Sequence, residues 1–157
     1  MVEHYRLNAG IVVFNKARKV LLCRRNDVKD SWQFPQGGID KGETPKEAAV
    51  RELREETSVV SVKFIEALPQ PLKYDFPDNI KQRHPERHYD GQEQYWHLFL
   101  FEGNDDEINL KTEEPEFRSY EWVDIMTAPK KVVDFKKKIY DVVAKEFALS
   151  IKKYLHK

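Results

Sequence analysis

The chain has 157 residues, of which 40% are hydrophobic and 12% aromatic, enough for the core of one domain over residues 1–157. Its 27 basic and 27 acidic residues give a net charge of zero, which excludes a uniformly basic nucleic-acid binder. The single cysteine, Cys23, excludes an internal disulfide and a zinc site built from cysteines. Since no apolar run has the length of a membrane helix and the N-terminus has no apolar signal region, we expect a cytoplasmic protein without a membrane partner.

Hydrophobic patterning and turn residues predict strands, loops and helices along the chain. In chain order we predict a strand over residues 11–14, a strand from Val20 to Arg25, an irregular loop from Ser31 to Gly38, a helix from Thr44 to Thr57, a strand from Ser61 to Tyr74 interrupted by Pro69 and Pro71, a polar loop from Asp75 to Gly91, strands from Gln92 to Phe101 and from Phe117 to Val123, and an amphipathic helix from Lys131 to Tyr154. The first two strands are expected to form a hairpin. Because strands and helices mix without strict alternation, the pattern indicates an α+β fold or a mixed α/β sandwich.

The helix from Thr44 to Thr57 has the clearest end signals. Thr44 is a good N-cap, and Pro45 suits the first helical position, where its missing N–H costs nothing. Glu47 lies where it can complete a capping box with the N-cap threonine. The sequence therefore predicts where this helix begins.

Three glutamates of this helix, Glu52, Glu55 and Glu56, are spaced i, i+3 and i+4, so helical geometry gathers them on a patch about 6 Å long. Like charges at this spacing cost about 0.2–0.5 kcal/mol per pair on a solvated helix, and a divalent cation reverses that effect. Carboxylates without cysteine or histidine favour Mg²⁺ or Mn²⁺, and Mg²⁺ usually binds substrate phosphates as well. The pattern predicts metal-assisted chemistry at phosphate, and a solvated glutamate-rich face is the alternative.

The spacing upstream and within the helix resembles the signature of the Nudix hydrolases, G-x5-E-x7-R-E-U-x-E-E-x-G-U, where U is aliphatic. The residues that fit are Gly37, Glu43, Arg51, Glu52, Leu53, Glu55, Glu56 and Val59. Ser58 departs from it, because the family has glycine there, and it would cost about 1 kcal/mol if its φ were positive. The resemblance implies the Nudix fold, an α/β/α sandwich in which a mixed β-sheet carries helices on both faces.

Further segments resemble one part of that family, the bacterial RNA pyrophosphohydrolases and the plant-type diadenosine tetraphosphate hydrolases. The similarity covers about residues 5 to 150, and its main segments are Tyr5 to Asn8, Trp32 to Gly38, Thr112 to Phe117 and Val132 to Lys136. The resemblance implies metal ligation by Gly37 through its carbonyl, and by Glu52, Glu55, Glu56 and Glu116. Mg²⁺ is the expected ion, with Mn²⁺ or another divalent ion as the alternative.

The same resemblance assigns catalytic and substrate-binding roles. The catalytic residues would be Arg51, which orients a glutamate, and Glu55, Glu56 and Glu116, with Glu56 or Glu116 accepting a proton from water. The substrate-binding residues would be Arg6, Arg25, Ser31, Phe34, Lys73, Tyr74, Gln92, Phe135 and Lys136. Arg25 and Lys73 would face phosphates, and Phe135 would stack on a nucleobase. A core position for Phe135 is an equally good interpretation of its place on an amphipathic helix.

The supply of positive charge to the substrate is left open by the sequence. After Gly91-Gln92, where the subfamily commonly has Lys-Gln and a basic residue, this chain has Glu-Gln-Tyr, so fewer cations face a polyphosphate. The loop from Lys81 to Arg87 is an alternative source of cations. His84 and His88 are four residues apart, but Pro85 argues against a helix that pairs them on zinc. We expect this loop to be solvated or to face phosphate.

The predicted function is metal-dependent hydrolysis of 5′-triphosphate RNA to 5′-monophosphate RNA and pyrophosphate, as in mRNA decay. Asymmetric hydrolysis of diadenosine tetraphosphate to ATP and AMP is the alternative. A catalytically silent Nudix-fold module that binds nucleotides or RNA ends is a third interpretation. We expect no duplex DNA partner, and either a monomer or a weak oligomer.

Overall fold

The computed structural model describes residues 4–79 and 89–156. Its strands and helices are β1 (Tyr5–Phe14), β2 (Val20–Arg25), β3 (Trp32–Gln33), β4 (Gln36–Gly38), α1 (Pro45–Thr57), β5 (Val62–Ala67), β6 (Leu72–Asp75), β7 (Gly91–Phe101), β8 (Phe117–Val123), α2 (Ala128–Lys131) and α3 (Lys137–Leu155). Among these residues no helix is both long and apolar enough to cross a membrane. The predicted cation-rich loop with His84 and His88 lies outside the described residues.

One mixed β-sheet organises the chain. β1 and β7 run parallel and pair over ten residues, from Tyr5 opposite Gly91 to Phe14 opposite Leu100. The main path is β3-β2-β1-β7-β5, with β4 on β1, β6 on β7 and β8 on β2. These other pairings are antiparallel, including the β1–β2 hairpin, which places Phe14 opposite Val20 and confirms the predicted hairpin. A parallel pair requires a long crossover, and here α1 lies within it.

Helices cover both faces of the sheet, which confirms the predicted sandwich. Val12 and Phe14 of β1 face α3, whereas Ile11 and Val13 face α1. Successive side chains of a strand point to opposite faces, so the continuous apolar run over residues 9–14 fills two cores at once. The two helices therefore hold the central strands from opposite sides.

Helix α1 begins where the sequence predicts, with Thr44 as its N-cap and Glu47 in a capping box. Thr44 Oγ1 accepts a hydrogen bond from the Glu47 amide at 3.1 Å, and Glu47 Oε1 accepts one from the Thr44 amide at 2.9 Å. At its C-terminal end Ser58 has φ +68°, in the left-handed region that favours glycine. Its N–H donates to the Arg54 carbonyl at 2.8 Å, and its hydroxyl donates to the Asn109 carbonyl at 2.8 Å. The cap of the family signature is thus kept without its glycine.

Two sequence predictions need correction. The stretch 31–38 is not wholly irregular: β3 pairs with β2, and β4 pairs with β1. The helix predicted from Lys131 is interrupted, because residues 132–133 are extended between α2 and a 3₁₀ turn at Asp134–Lys136. β-branched Val132 and Val133 suit that extended backbone. The interruption moves Phe135 and Lys136 out of the regular helix and toward β6.

Candidate active site

Arg51 of α1 joins the loop before the helix to the glutamates on it. Its Nε and Nη2 donate to both carboxylate oxygens of Glu43 at 2.7 and 2.9 Å, and Nη2 also donates to the Gly38 carbonyl at 2.9 Å. Its Nη1 donates to Glu52 at 2.8 Å and to Glu55 at 3.2 Å. The hydrogen bonds that Arg51 donates to Glu43 are the main reason why the pKa of Glu43 is lowered to about 2. Arg51 therefore fixes the orientation of two glutamates on the helix.

Gly37 brings the backbone of β4 against the carboxylate of Glu52. A Cβ atom at Gly37 would overlap the Glu52 carboxyl carbon and both of its oxygens. The strand is held in that place by its register with β1, where Gly37 lies opposite Ala9. Any side chain at this position would push the Glu52 carboxylate away, so the close approach requires glycine.

Glu56 is the buried carboxylate of this helix. It is 6% exposed, and its Oε1 accepts a hydrogen bond from the Gln36 amide at 3.2 Å. Burial raises its pKa well above the usual value, and the nearby charges of Glu52 and Glu116 raise it further. A desolvated carboxylate among like charges is stabilised by a proton or by a bound cation.

Glu116 reaches this group from a separate segment, immediately before β8. Its carbonyl accepts a hydrogen bond from the Asn26 amide at 3.0 Å, and the Asn26 side chain donates to the Pro115 carbonyl at 3.1 Å. Glu116 is exposed, and its charge acts on Glu56. We call Glu52, Glu55, Glu56 and Glu116 the acidic cluster. Its members come from α1 and from the loop that Asn26 braces.

The acidic cluster has the donor chemistry of a magnesium or manganese site, because every side chain in it offers carboxylate oxygens. In the described ranges, however, no three histidine, cysteine, aspartate or glutamate side chains stand where they could share one ion. Glu52 and Glu55 are instead bonded to Arg51. Metal ligation by the helix glutamates therefore stays a prediction, and in this arrangement the neighbouring guanidinium of Arg51 bonds two of them.

Arg25 and Lys136, two cations predicted to bind substrate, lie near each other and near Glu56, since the charges of Arg25 and Glu56 both act on Lys136. Arg25 binds both carboxylate oxygens of Asp27, through Nε at 2.9 Å and Nη2 at 2.7 Å. Lys136 is 7% exposed, and its Nζ donates to Gln33 Oε1 at 3.4 Å. Burial, together with the charge of Arg25, lowers the pKa of Lys136 to about 8. We call Arg25 and Lys136 the basic cluster.

Predicted substrate-binding residues on one face of the sheet adjoin the basic cluster. Tyr74 lies opposite Gln92 across β6 and β7, and its hydroxyl donates to Gln92 Oε1 at 2.8 Å. Arg6 lies opposite Gln92 on the other side. Burial raises the pKa of both Glu52 and Tyr74, and the charge of Arg6 opposes part of that rise. The half-buried Phe135 ring lies 5.7 Å from that of Tyr74. These side chains connect the acidic cluster to an aromatic surface.

Phe34 and Lys73 are placed differently from the prediction. Phe34 is fully buried, stacks on Tyr140 at 5.0 Å and meets Trp96 edge to face, so it belongs to the core and not to a pocket wall. Lys73 points away from Tyr74 because neighbouring residues of a strand face opposite sides, and its Nζ lies 3.6 Å from Glu93.

Ser31 is buried beside the basic cluster. Its carbonyl accepts a hydrogen bond from the Arg25 amide at 2.9 Å. Its hydroxyl has no hydrogen-bond partner within residues 4–79 and 89–156, a state that is costly for a buried polar group. The position is therefore compatible with the predicted contact to substrate.

Sequence reasoning missed three residues that hold this site together. They are Asn26, Asp27 and Gln33, which contact the Pro115–Glu116 segment, Arg25 and Lys136 respectively. Only Asp27 carried a local signal, since it lies two residues from Arg25 in sequence. The contacts of Asn26 and Gln33 span 89 and 103 residues, so no short pattern could indicate them.

The fold and the acidic helix together define a known class of protein. The sequence model of the NUDIX domain matches residues 4–143, so the chain belongs to the Nudix family.

The chain is similar to curated members of this family over most of its length. It is 39% identical over 150 residues to an RNA pyrophosphohydrolase of Zymomonas mobilis, an alignment that covers 94% of this chain and 97% of that protein. It is 40% identical over 152 residues to Nudix hydrolase 26, chloroplastic, of Arabidopsis thaliana, covering 93% and 70%. The solved structure of the E. coli dihydroneopterin triphosphate pyrophosphohydrolase has a TM-score of 0.69 at 18% identity, covering 93% and 99%, and supports the fold.

Proposed function

We propose that the chain is a metal-dependent pyrophosphohydrolase that converts 5′-triphosphate RNA to 5′-monophosphate RNA and pyrophosphate. The observation that carries the proposal is the acidic cluster beside the basic cluster, in a chain whose similar relatives include several named RNA pyrophosphohydrolase. Carboxylates that bind a cation and cations that bind phosphate are the two requirements of hydrolysis at a polyphosphate.

The acidic cluster would hold the metal. Glu52, Glu55, Glu56 and Glu116 are proposed as ligands, with the Gly37 carbonyl beside Glu52 as a further oxygen donor. A divalent cation, with Mg²⁺ the expected ion, supplies positive charge that neutralises the phosphates and acidifies water. Arg51 would keep Glu52 and Glu55 oriented, and either of them can exchange its hydrogen bond to Arg51 for the ion.

The proton of the attacking water would pass to a carboxylate of this chain. Glu56 is the proposed acceptor, because its burial and raised pKa suit a base better than the lower pKa of a solvated carboxylate. Glu116 is the alternative acceptor, since it lies outside the helix and is exposed. Water adds to phosphorus, the bond to the bridging oxygen breaks, and pyrophosphate leaves with RNA retaining one phosphate.

The remaining residues would bind the RNA end. Arg25 and Lys136 are proposed to contact phosphate oxygens, which guanidinium and ammonium groups bind strongly. Phe135 is proposed to stack on the first nucleobase, a contact worth about 1–3 kcal/mol and tolerant of base identity. One domain over residues 1–157, a cytoplasmic location and action in mRNA decay are further parts of the proposal. The packing of α3 on the same sheet supports the single domain.

A product assay tests this function. Purified protein is incubated with Mg²⁺, with Mn²⁺ or with a chelator, on 5′-triphosphate RNA and on diadenosine tetraphosphate. The proposal expects pyrophosphate and 5′-monophosphate RNA in a metal-dependent reaction. ATP and AMP from the dinucleotide at a more than about tenfold higher kcat/KM, with inert triphosphate RNA, would support the alternative substrate. Turnover of neither substrate, with both bound, would indicate a silent binding module.

A further inference from the structure

Asp27 interacts electrostatically with both residues of the basic cluster, Arg25 and Lys136. The family signature assigns it no role. Its carboxylate receives two hydrogen bonds from one edge of the Arg25 guanidinium, at 2.9 Å to Nε and 2.7 Å to Nη2. This is the bidentate geometry that gives an arginine–carboxylate pair its directionality. Asp27 itself is exposed, so it can be substituted without opening the core.

The fork leaves the other edge of Arg25 available. Among the described residues no hydrogen bond reaches Nη1, and the Arg25 side chain is only 24% exposed. A guanidinium has five N–H donors, so the Nη1 group can bind an anion while Nε stays on Asp27. The charge of Arg25 acts on buried Tyr74 and Tyr140, which places the guanidinium near the aromatic surface of the site.

Asp27 also acts on the second cation. Its charge raises the pKa of Lys136, opposing the effects of burial and of Arg25. In turn the hydrogen bonds from Arg25, and more weakly the charge of Lys136, lower the pKa of Asp27. Two cations in a desolvated place repel each other, and a carboxylate beside both reduces that cost.

We propose that Asp27 is a positioning residue, which holds the Nε edge of Arg25 so that Arg25 and Lys136 together bind the phosphate chain of the substrate. The inference rests on the proposed function for the identity of that chain. It assigns no contact between Asp27 and substrate: Asp27 acts through Arg25. Gln33 is the corresponding partner of Lys136, whose Nζ donates to Gln33 Oε1.

A neighbouring ion pair offers a matched control. Arg24 donates from Nη2 to Asp30 Oδ1 at 3.1 Å, and this pair belongs to the same strand end and loop. It is a single contact, its aspartate is exposed, and it lies outside the basic cluster. Asp30→Asn removes one negative charge from the same loop, so it reports the general effect of that charge on an anionic ligand.

Binding of inorganic tripolyphosphate, measured by calorimetry in the presence of a chelator, tests the inference without catalysis or metal. Asp27→Asn is expected to raise Kd about five- to tenfold, and Asp27→Glu to restore most of the affinity. Asp30→Asn is expected to stay within about twofold of wild type. In an Arg25→Ala background, Asp27→Asn is expected to add less than about twofold further loss, because its main effect passes through Arg25 and its charge acts on Lys136 only secondarily.

Kinetics on 5′-triphosphate RNA give a second readout. Asp27→Asn is expected to raise KM while kcat changes by less than about twofold, since the acidic cluster is untouched. Unchanged or tighter tripolyphosphate binding in Asp27→Asn, or an equal loss in the Arg25→Ala background, would overturn the inference. If wild-type protein binds tripolyphosphate as expected but does not hydrolyse the RNA, the proposed function fails and the inference stands.

Discussion

The acidic and basic clusters each gather like charges, and they differ in how those charges are partnered. In the acidic cluster the Arg51 guanidinium donates hydrogen bonds to Glu52 and Glu55 of its own helix. The buried Glu56 lies near other negative charges and has no cationic hydrogen-bond donor among the described residues. In the basic cluster each cation has its own partner, Asp27 for Arg25 and Gln33 for Lys136. Under the proposed function a divalent cation would complete the first arrangement. The second has spare N–H donors, and the phosphates of the substrate would complete it.

The largest expected effect tests the acidic cluster. Glu56→Gln keeps the size of the side chain but removes the carboxylate, so we expect kcat to fall by about 10²–10⁴-fold. The fold should persist, because the change removes a buried charge without leaving a cavity. Glu47→Gln on the same helix is the matched control, since glutamine also completes a capping box. Steady-state turnover with Mg²⁺ measures both, and wild-type turnover in Glu56→Gln would contradict the assignment.

The aromatic surface beside the basic cluster should affect binding more than chemistry. Phe135→Ala removes the ring proposed to stack on the nucleobase, a loss of about 1–3 kcal/mol in substrate affinity. We expect a higher KM with little change in kcat. Val142→Ala removes an exposed side chain of α3 and serves as the control. A structural role alone would appear instead as a lower unfolding midpoint with unchanged KM.

Arg51 should matter for stability as well as for orientation. Arg51→Lys keeps the charge but cannot reproduce the bidentate bonds to Glu43 together with those to Glu52, so we expect about 1–3 kcal/mol lower free energy of unfolding. Urea denaturation measures it. Arg54→Lys, exposed on the same helix, should change stability by less than about 0.5 kcal/mol. Equal effects of the two variants would mean that the Arg51 network contributes nothing.

The charge of Lys136 in the basic cluster should make kcat/KM depend on pH in the alkaline range. Lys136 has its pKa lowered to about 8, so its positive charge is present below that pH and is lost as the pH rises through it. The kcat/KM for an anionic substrate reports the free enzyme and should fall above pH 8 by up to about tenfold per unit. Lys136→Gln should have a lower value at neutral pH and lack this alkaline decrease. A limb that persists in the variant would assign it to another group.

The smallest effect concerns the end of α1. Ser58→Gly relieves the left-handed strain but loses the hydroxyl bond to the Asn109 carbonyl, so we expect a gain of about 0.5 kcal/mol or less. Ser58→Ala keeps the strain and loses the bond, and it should be less stable than wild type. Thermal unfolding compares the three proteins. A glycine variant less stable than the serine protein would show that the hydroxyl bond outweighs the strain.

The acidic cluster was largely predictable because most of it is local. Glu52, Glu55 and Glu56 share one helix, and the caps at Thr44 and Pro45 fix where that helix begins. Only Glu116 needed the family resemblance. What local spacing could not predict is that Arg51 binds Glu52 and Glu55, since the same helical geometry serves a salt bridge and a metal ligand alike.

The basic cluster depended on contacts between distant segments. Phe34 was predicted to bind substrate, but its ring contacts Tyr140 and Trp96, which are more than 60 residues away in sequence. Because neighbouring residues of a strand face opposite sides, Lys73 points away from Tyr74 and lies near Glu93. The extended residues 132–133 interrupt the predicted helix, so Phe135 and Lys136 lie outside α3. Such choices follow from tertiary packing, which periodicity does not encode.

The most direct test of the account is the position of a divalent ion in crystals grown with Mn²⁺, located by anomalous scattering. We expect an ion bound by Glu56 together with Glu52, Glu55 or Glu116, with at least one glutamate released from Arg51. A manganese ion bound only elsewhere, in crystals of protein that hydrolyses triphosphate RNA with Mn²⁺, would contradict the assignment of the acidic cluster as the metal site.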